Sequence, residues 1–216
     1  MKPQDRYERI QQYLKGIREG TLSQIELPNL EGHIEILYNQ LLAKIEQART
    51  DALTGLPNYR GLIEILEREE ARSKRYKEPL TLGFADFDNL KPYNDTYGHI
   101  QANHAIKSVS ETIKGSLRKQ DILARYGGDE FCFVLPNTDL ENSKIVVDRI
   151  IKSVDSLSID NVVDKLPDNG YERVVISMGC TQLKGNEEYI SALDRANIAM
   201  KDAKAKPLQI SSVIYK

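Results

Sequence analysis

The chain is predicted to fold as an α+β domain, a mainly antiparallel central sheet flanked by helices, preceded by N-terminal helices. Three observations predict it. From Asp51 onward, apolar runs of strand length alternate with amphipathic stretches of helix length. Two of the runs, ILARY (122–126) and EFCFVL (130–135), are separated by little more than a Gly-Gly pair, which reads as a hairpin. Before residue 50 the composition shifts to Gln, Glu and Arg with apolar residues at helical spacing.

The elements follow in order. Tyr7, Ile10, Leu14 and Ile17 form a first helical stripe, with breaks expected at Gly20 and around Pro28 to Gly32. Ile34, Tyr38, Leu41, Ile45 and Ala48 then step by four and three, as in a short coiled-coil seam. That seam reads either as a face packed on the chain's own domain or as a self-association surface, because propensity alone does not hold a helix this short. Next come a helix over 61–77, a buried strand at 80–87 (LTLGFADF) and a helix over 100–117. The hairpin follows, then a helix near 138–156, a strand at 173–182, a helix at 187–205 and a strand at 209–215. The β-α-β-β-α-β order within this series is that of the ferredoxin-like or palm arrangement.

Composition narrows the function. The 216 residues carry 30 Lys and Arg against 32 Asp and Glu, a net charge of −2, with 40% hydrophobic residues, as in ordinary globular proteins. A balance so near neutral removes the broad electrostatic case for a nucleic-acid or membrane-surface protein. At roughly 150 residues per domain the length suits one domain and an appendage, with the boundary expected between 50 and 51. No apolar run approaches the roughly 20 residues of a membrane span, and MKPQDRYERI lacks a signal-peptide core. Cys132 and Cys180 have neither CxxC spacing nor disulfide-scaffold density, so a cytoplasmic setting with both thiols in the core is expected.

Two acidic clusters carry the chemistry. Asp86-Phe87-Asp88 closes the apolar strand, and Gly127-Gly128-Asp129-Glu130 forms the hairpin tip. If those strands are neighbours, Asp86, Asp129 and Glu130 converge at one edge of the sheet. Carboxylate oxygens gathered there suit Mg²⁺, which takes one or two carboxylates and leaves its other positions to water and phosphates. Such a site serves phosphoryl transfer.

YGGDEF (126–131) resembles the signature of the GGDEF family, the diguanylate cyclase domains. DALTGLPNYR (51–60) resembles the family's opening motif, ADFDNLKPYNDTYGH (85–99) its metal and nucleotide stretch, and ISMG (176–179) its late core strand. The resemblance implies the GGDEF fold for 51–216 and a metal site of Asp86, Glu130 and the Phe87 carbonyl, for Mg²⁺ with Mn²⁺ as the alternative. It implies that Asp129 and Glu130 are catalytic, Asp129 by positioning or deprotonating a ribose 3′-OH. Backbone N–H groups around Asn89 and Leu90 would cradle a triphosphate, with Lys91 and Lys204 as its cations, and Asn94 and His99 would contact guanine or ribose. Gly127 and Gly128 are expected to leave room for substrate and to take positive φ. Arg118 and Asp121 match the family's inhibitory product site, where an arginine fork suits guanine O6 and N7. The stretch 16–45 resembles the connector and second helix of a HAMP signalling module.

Two departures stand out. Asn103 replaces the carboxylate with which the family accepts both donors of guanine. An amide mispairs one of them, at a cost of about 1–3 kcal/mol, and matches the acceptor-and-donor edge of adenine. Guanine would then be kept through one good bond or a water, or ATP would be admitted at one or both sites. Leu208 stands where the family places a phosphate-binding arginine, with Lys201 and Lys206 as the nearby cations. The implied activity is condensation of two GTP into cyclic di-GMP, with release of two pyrophosphates, by a homodimer of half-sites paired through the N-terminal helices. The alternatives are a cyclase of relaxed base specificity and a catalytically silent sensor of GTP or cyclic di-GMP.

Overall fold

The computed structural model describes residues 3–20, 27–157, 174–205 and 212–215. Chain contacts divide it into two units, Met1–Ala48 and Arg49–Lys216.

The first unit holds helix α1 (Pro3–Glu19) and most of helix α2 (Leu27–Arg49); residues 21–26, within the HAMP-like stretch, lie outside the described residues. Gly20 ends α1 in a left-handed conformation, as expected. The break expected around Pro28 to Gly32 does not occur, because α2 runs through both. Pro28 falls in the first turn, where a helix has no use for the missing N–H. On α2 the side chains of Ile34, Tyr38, Leu41 and Ile45 are all exposed.

The second unit is built on a five-stranded sheet. Its elements are helix α3 (Tyr59–Tyr76), strand β1 (Leu80–Phe87), helix α4 (Leu90–Gly115), strands β2 (Ile122–Arg125) and β3 (Glu130–Pro136), helix α5 (Leu140–Asp155), strand β4 (Ile176–Gln182), helix α6 (Tyr189–Lys204) and strand β5 (Ser212–Tyr215). The strand order is β2-β3-β1-β4-β5, antiparallel throughout except for the parallel β4–β5 pair. This is the expected α+β arrangement, with α6 and β5 added after the β-α-β-β-α-β unit.

Strand alternation sorts the core into two layers. Ala85, Phe87, Phe133 and Met178 meet Val109 and Ile113 of α4 and Val147 and Ile150 of α5 on one face. Leu82, Phe84, Cys132 and Val134 meet Leu62 and Leu66 of α3 and Ala196 and Met200 of α6 on the other. β1, in the middle, is buried along its whole length, which explains its unbroken apolar run. Gly179 lets α6 lie directly on β4, since a Cβ there would come within 2.1 Å of the Met200 backbone nitrogen. Cys132 and Cys180 are fully buried free thiols.

Several boundaries differ from expectation. α3 starts at Tyr59 rather than 61 because the Asn58 side chain accepts the Gly61 N–H at 3.1 Å as an N-cap. α4 starts at Leu90, ten residues before the expected 100. Asn89 enters it in the left-handed region, and Gly98 (φ 82°, ψ 165°) kinks it where the sequence pattern suggests a beginning. The expected strand starts at 173 and 209 lie outside the described residues, as does Leu208.

Candidate functional site

The site is assembled where β1 runs out of sheet. Asp86 pairs with Ser177 of β4 on one side and with Glu130 of β3 on the other, so the two acidic clusters converge as expected. The Phe87 N–H donates to the Asp129 carbonyl at 3.0 Å, which ties the hairpin tip to the strand end. The Asp88 N–H donates to the Val175 carbonyl, and Ser177 Oγ donates to Asp88 Oδ2 at 2.8 Å. From the far end of α6, Lys204 Nζ reaches Asp86 Oδ1 at 2.5 Å and lies 3.8 Å from Asp88 Oδ1.

Burial and mutual repulsion dominate this edge. Desolvation raises the Asp86 carboxyl against the opposing Lys204 hydrogen bond, and Asp129 adds to the rise. Asp88 is pushed up to about 6, first by burial, against the Ser177 bond, with the Asp86 charge adding. Glu130 is raised by burial and then by Asp86 and Asp129. Burial alone would lower Lys204, but its bond to Asp86 raises it. Asp88 Oδ1 is buried without a hydrogen-bond partner.

These features test the fit of a cation. Among the described residues no three or more His, Cys, Asp or Glu side chains form a cage that could hold a metal ion. A magnesium site needs no such cage, since water and phosphate supply most of its ligands. The donor set present consists of hard carboxylate oxygens, under-neutralised by one lysine and including a buried orphan acceptor. That set fits Mg²⁺.

Beside the acidic edge lies a pocket of about 270 Å³ lined by Leu90, Lys91, Asn94, His99, Asn103, Gly128 and Asp129. Leu90 and Lys91 open α4, whose N-cap Asn89 makes no side-chain cap bond, so the first-turn N–H groups face a prospective anion. Asn94 Oδ1 is buried with no hydrogen-bond partner. His99 and Asn103 are exposed, one turn apart just after the Gly98 kink. Asn89, Gly127 and Lys204, expected at the nucleotide, do not line this pocket: Asn89 and Gly127 adjoin its lining residues Leu90 and Gly128, and Lys204 lies at Asp86 and Asp88.

Gly127 and Gly128 do not adopt the positive φ expected of them; among the described residues the glycines with positive φ are Gly20, Gly55, Gly98 and Gly185. The tip closes through Tyr126 and Gly127 N–H donors to the Glu130 carbonyl, which leaves both glycines on the ordinary side of φ. A Cβ on Gly127 would sit 3.0 Å from Glu130 Oε2, so the carboxylate would have to shift by a few tenths of an ångström. Away from the pocket, Arg118 and Asp121 form the α4–β2 turn: Asp121 Oδ2 accepts the Arg118 N–H at 2.9 Å, and the Arg118 side chain is exposed.

Sequence reasoning missed two residues here. Asp88 was read only as part of a cluster. Arg125, directly before the signature, lines the pocket and binds the hairpin tip. The signal available for the latter was Asp51 with Thr54 three residues on, an Asx-turn pattern that fixes a carboxylate in need of a partner.

The profile described as "Diguanylate cyclase, GGDEF domain" matches residues 48–208. Diguanylate cyclase DgcP of Pseudomonas aeruginosa is 32% identical over 176 residues, 82% of this chain and 25% of that protein. Diguanylate cyclase DgcM of Escherichia coli K12 is 31% identical over 157 residues, 73% of this chain and 36% of that protein. The chain thus spans about a quarter to a third of the length of these relatives. Among solved structures, diguanylate cyclase SiaD of P. aeruginosa, in complex with its activator SiaC, superposes with TM-score 0.70 and 31% identity over 98% of this chain and 84% of that one. The coiled coil and GGDEF domain of DgcB from Caulobacter crescentus, in complex with c-di-GMP, gives 0.78 at 24% identity over 88% of this chain and 98% of that one, a likeness of fold.

Proposed function

The chain belongs to the GGDEF family, and we propose on that premise that it condenses two GTP molecules into cyclic di-GMP. The observation that carries the reading is the pairing of Asp86 with Glu130 beside a pocket floored by the α4 N-terminus.

Asp86, Glu130 and the Phe87 carbonyl would hold Mg²⁺, or Mn²⁺ in its place. Bound there, the ion neutralises phosphate charge and lowers the pKa of a coordinated hydroxyl. The first-turn N–H groups around Asn89 and Leu90, with Lys91, bind the triphosphate. Lys204, held at the carboxylate edge, adds the second phosphate cation. Asn94, with its open Oδ1, and His99 contact the base or ribose. The side chain of Asp129 takes up the ribose 3′-OH and its proton. The 3′-oxygen forms a bond to the α-phosphorus of the opposing nucleotide, and the bond to pyrophosphate breaks. The same event in the opposite direction closes the ring and releases the second pyrophosphate.

A single pocket of about 270 Å³ holds one nucleotide, so opposed attack calls for two copies face to face. The exposed Ile34, Tyr38, Leu41 and Ile45 stripe of α2 is the surface for a homodimer, in a division of labour between residues 1–50 and the cyclase domain 51–216. Arg118 and Asp121 serve as the product site through which cyclic di-GMP inhibits. The proposed setting is the cytoplasm; no helix of the described residues is long and apolar enough to cross a membrane.

Asn103 favours a second reading of base choice. It lines the pocket with Asn94, so the base meets two side-chain amides that pair with adenine as readily as with guanine. Incubation with Mg²⁺ and GTP, ATP or both, with products identified by mass spectrometry, separates these readings. Cyclic di-GMP from GTP alone supports the first, and a mixed or adenine product makes Asn103 the specificity switch. Bound nucleotide without product at any protein concentration rejects both in favour of a sensor.

A further inference from the structure

We propose that Arg125 and Asp51 form a positioning pair that fixes the Gly127–Gly128 tip, and with it Asp129, against the nucleotide pocket. The inference rests on the cyclase reading for its catalytic consequence and on hydrogen-bond geometry for its structural part.

The tip has no side chains of its own. Two consecutive glycines carry the largest backbone freedom available to a chain, yet Asp129 follows them directly and must be held still. The restraint comes from Arg125. Its Nη2 donates to the Gly128 carbonyl at 2.7 Å, and its Nε is shared between the Gly127 and Gly128 carbonyls at 3.2 Å each. Its Nη1 donates to both oxygens of Asp51 at 3.0 and 3.1 Å. One guanidinium thus spans the tip and an anchor 74 residues earlier.

The anchor is itself fixed. Asp51 Oδ1 accepts the Thr54 N–H at 2.9 Å and the Thr54 hydroxyl at 2.7 Å, and Gly55, at φ +66°, returns its N–H to the Asp51 carbonyl. Burial alone would raise Asp51; the Thr54 bonds, followed by the Arg125 guanidinium, outweigh it and hold the carboxyl below its usual range. The Arg125 N–H also donates to the Pro57 carbonyl at 2.9 Å, binding β2 to the same loop. The arginine is largely shielded, with its side chain 14% exposed. Only a planar fork addresses two carbonyls and a carboxylate at once, so lysine keeps the charge and loses the restraint.

The Phe87 N–H holds the Asp129 carbonyl from the other side, so the tip is pinned at both ends. Releasing one pin leaves the pocket floor of Leu90, Lys91 and Asn94 intact and displaces the acceptor of the 3′-OH. The consequence falls on kcat rather than on nucleotide affinity.

The test is Arg125→Lys, Asp51→Asn and their combination in the full chain, read by GTP kinetics and by amide hydrogen exchange resolved to the tip. In Arg125→Lys the Tyr126 and Gly127 amides are expected to exchange about tenfold faster, with β4 unchanged. The kcat is expected to fall about 10²-fold, with KM for GTP within about threefold. Asp51→Asn moves both in the same direction, and the double variant is within about twofold of Arg125→Lys, because the two act as one unit. Unchanged exchange at the tip overturns the proposal, as does faster exchange throughout the domain, which would mark a merely structural pair. A loosened tip with intact kcat overturns the catalytic consequence. A wild-type chain that makes no product overturns the cyclase reading instead, and the exchange result still decides the restraint.

Discussion

The two ends of β1 solve the same problem in opposite ways. At its start the hydroxyl of Thr81 and the guanidinium of Arg195 are satisfied within the protein. Thr81, fully buried, donates its hydroxyl to the Thr138 carbonyl at 2.8 Å. Nearby, Arg195 donates to Thr181 Oγ1 at 3.1 and 2.9 Å and to the Gln182 carbonyl at 2.8 Å, and pairs with Glu187. At its finish, Asp86 and Asp88 face Lys204 with Glu130 beside them, all three carboxyls raised by burial, and an Asp88 oxygen has no hydrogen-bond partner. Buried polar groups are expensive unless partnered. The first end is built for the fold, and the second leaves acceptors to be completed by a ligand.

Substitutions at the two ends should therefore separate activity from stability. The largest effect is expected for Glu130→Ala, which removes a proposed metal ligand worth several kcal/mol in the transition state, about 10³-fold in turnover. Its melting temperature in the absence of divalent ions should be no lower than that of the wild type, because a like charge has been removed. A parallel loss of stability and activity would show that the second end is structural too.

Asp88→Asn sharpens the contrast through pH. The folded carboxyl, at about 6, lies above the ordinary value of 3.8, so the folded state holds the proton more tightly. The stability linked to that proton is present below about pH 4 and is lost as pH rises through about 6. Without divalent ions, the variant should match the wild type near pH 4 and be more stable at pH 7 by up to about 3 kcal/mol. Denaturant titrations at the two pH values check this, and a gap independent of pH would contradict it.

How much of this was legible depended on distance along the chain. β1 was readable to the residue because a strand buried on both faces is apolar throughout, and the hairpin was readable from its glycines. The first ten residues of α4 were not, because LKPYNDTYGH carries no helical stripe and its path is set by Asn89 and the Gly98 kink. The meeting of Asp86 with Glu130 follows from the sequence only if β1 and β3 are neighbours, as they are. The Arg125–Asp51 and Lys204–Asp86 contacts span 74 and 118 residues; the Asp51–Thr54 turn signals a fixed carboxylate but not its distant partner, and nothing local signals the second contact. Asp88 likewise depends on Ser177, supplied by a strand 89 residues on.

Smaller effects belong to the first end. Thr81→Val removes one buried hydroxyl bond and leaves the Thr138 carbonyl short of a donor, at about 1–3 kcal/mol. Thermal unfolding should show that loss while turnover at saturating nucleotide stays at the wild-type level; a fall in turnover would erase the distinction between the ends. The smallest effect is expected in the core between them. Cys132 and Cys180 are fully buried, and burial pushes both thiols well above their usual range. Native protein at neutral pH should take up no iodoacetamide at either residue, whereas denatured protein takes up both, as intact-mass measurement will show.

The measurement that bears most directly on the account is the Mg²⁺-dependent rate of product formation from GTP by wild type and Glu130→Ala, compared at equal folded fraction. Cyclic di-GMP from the wild type and a rate lower by about 10³-fold in the variant are predicted. Equal rates in the two proteins would contradict the assignment of the acidic end of β1 as the catalytic centre.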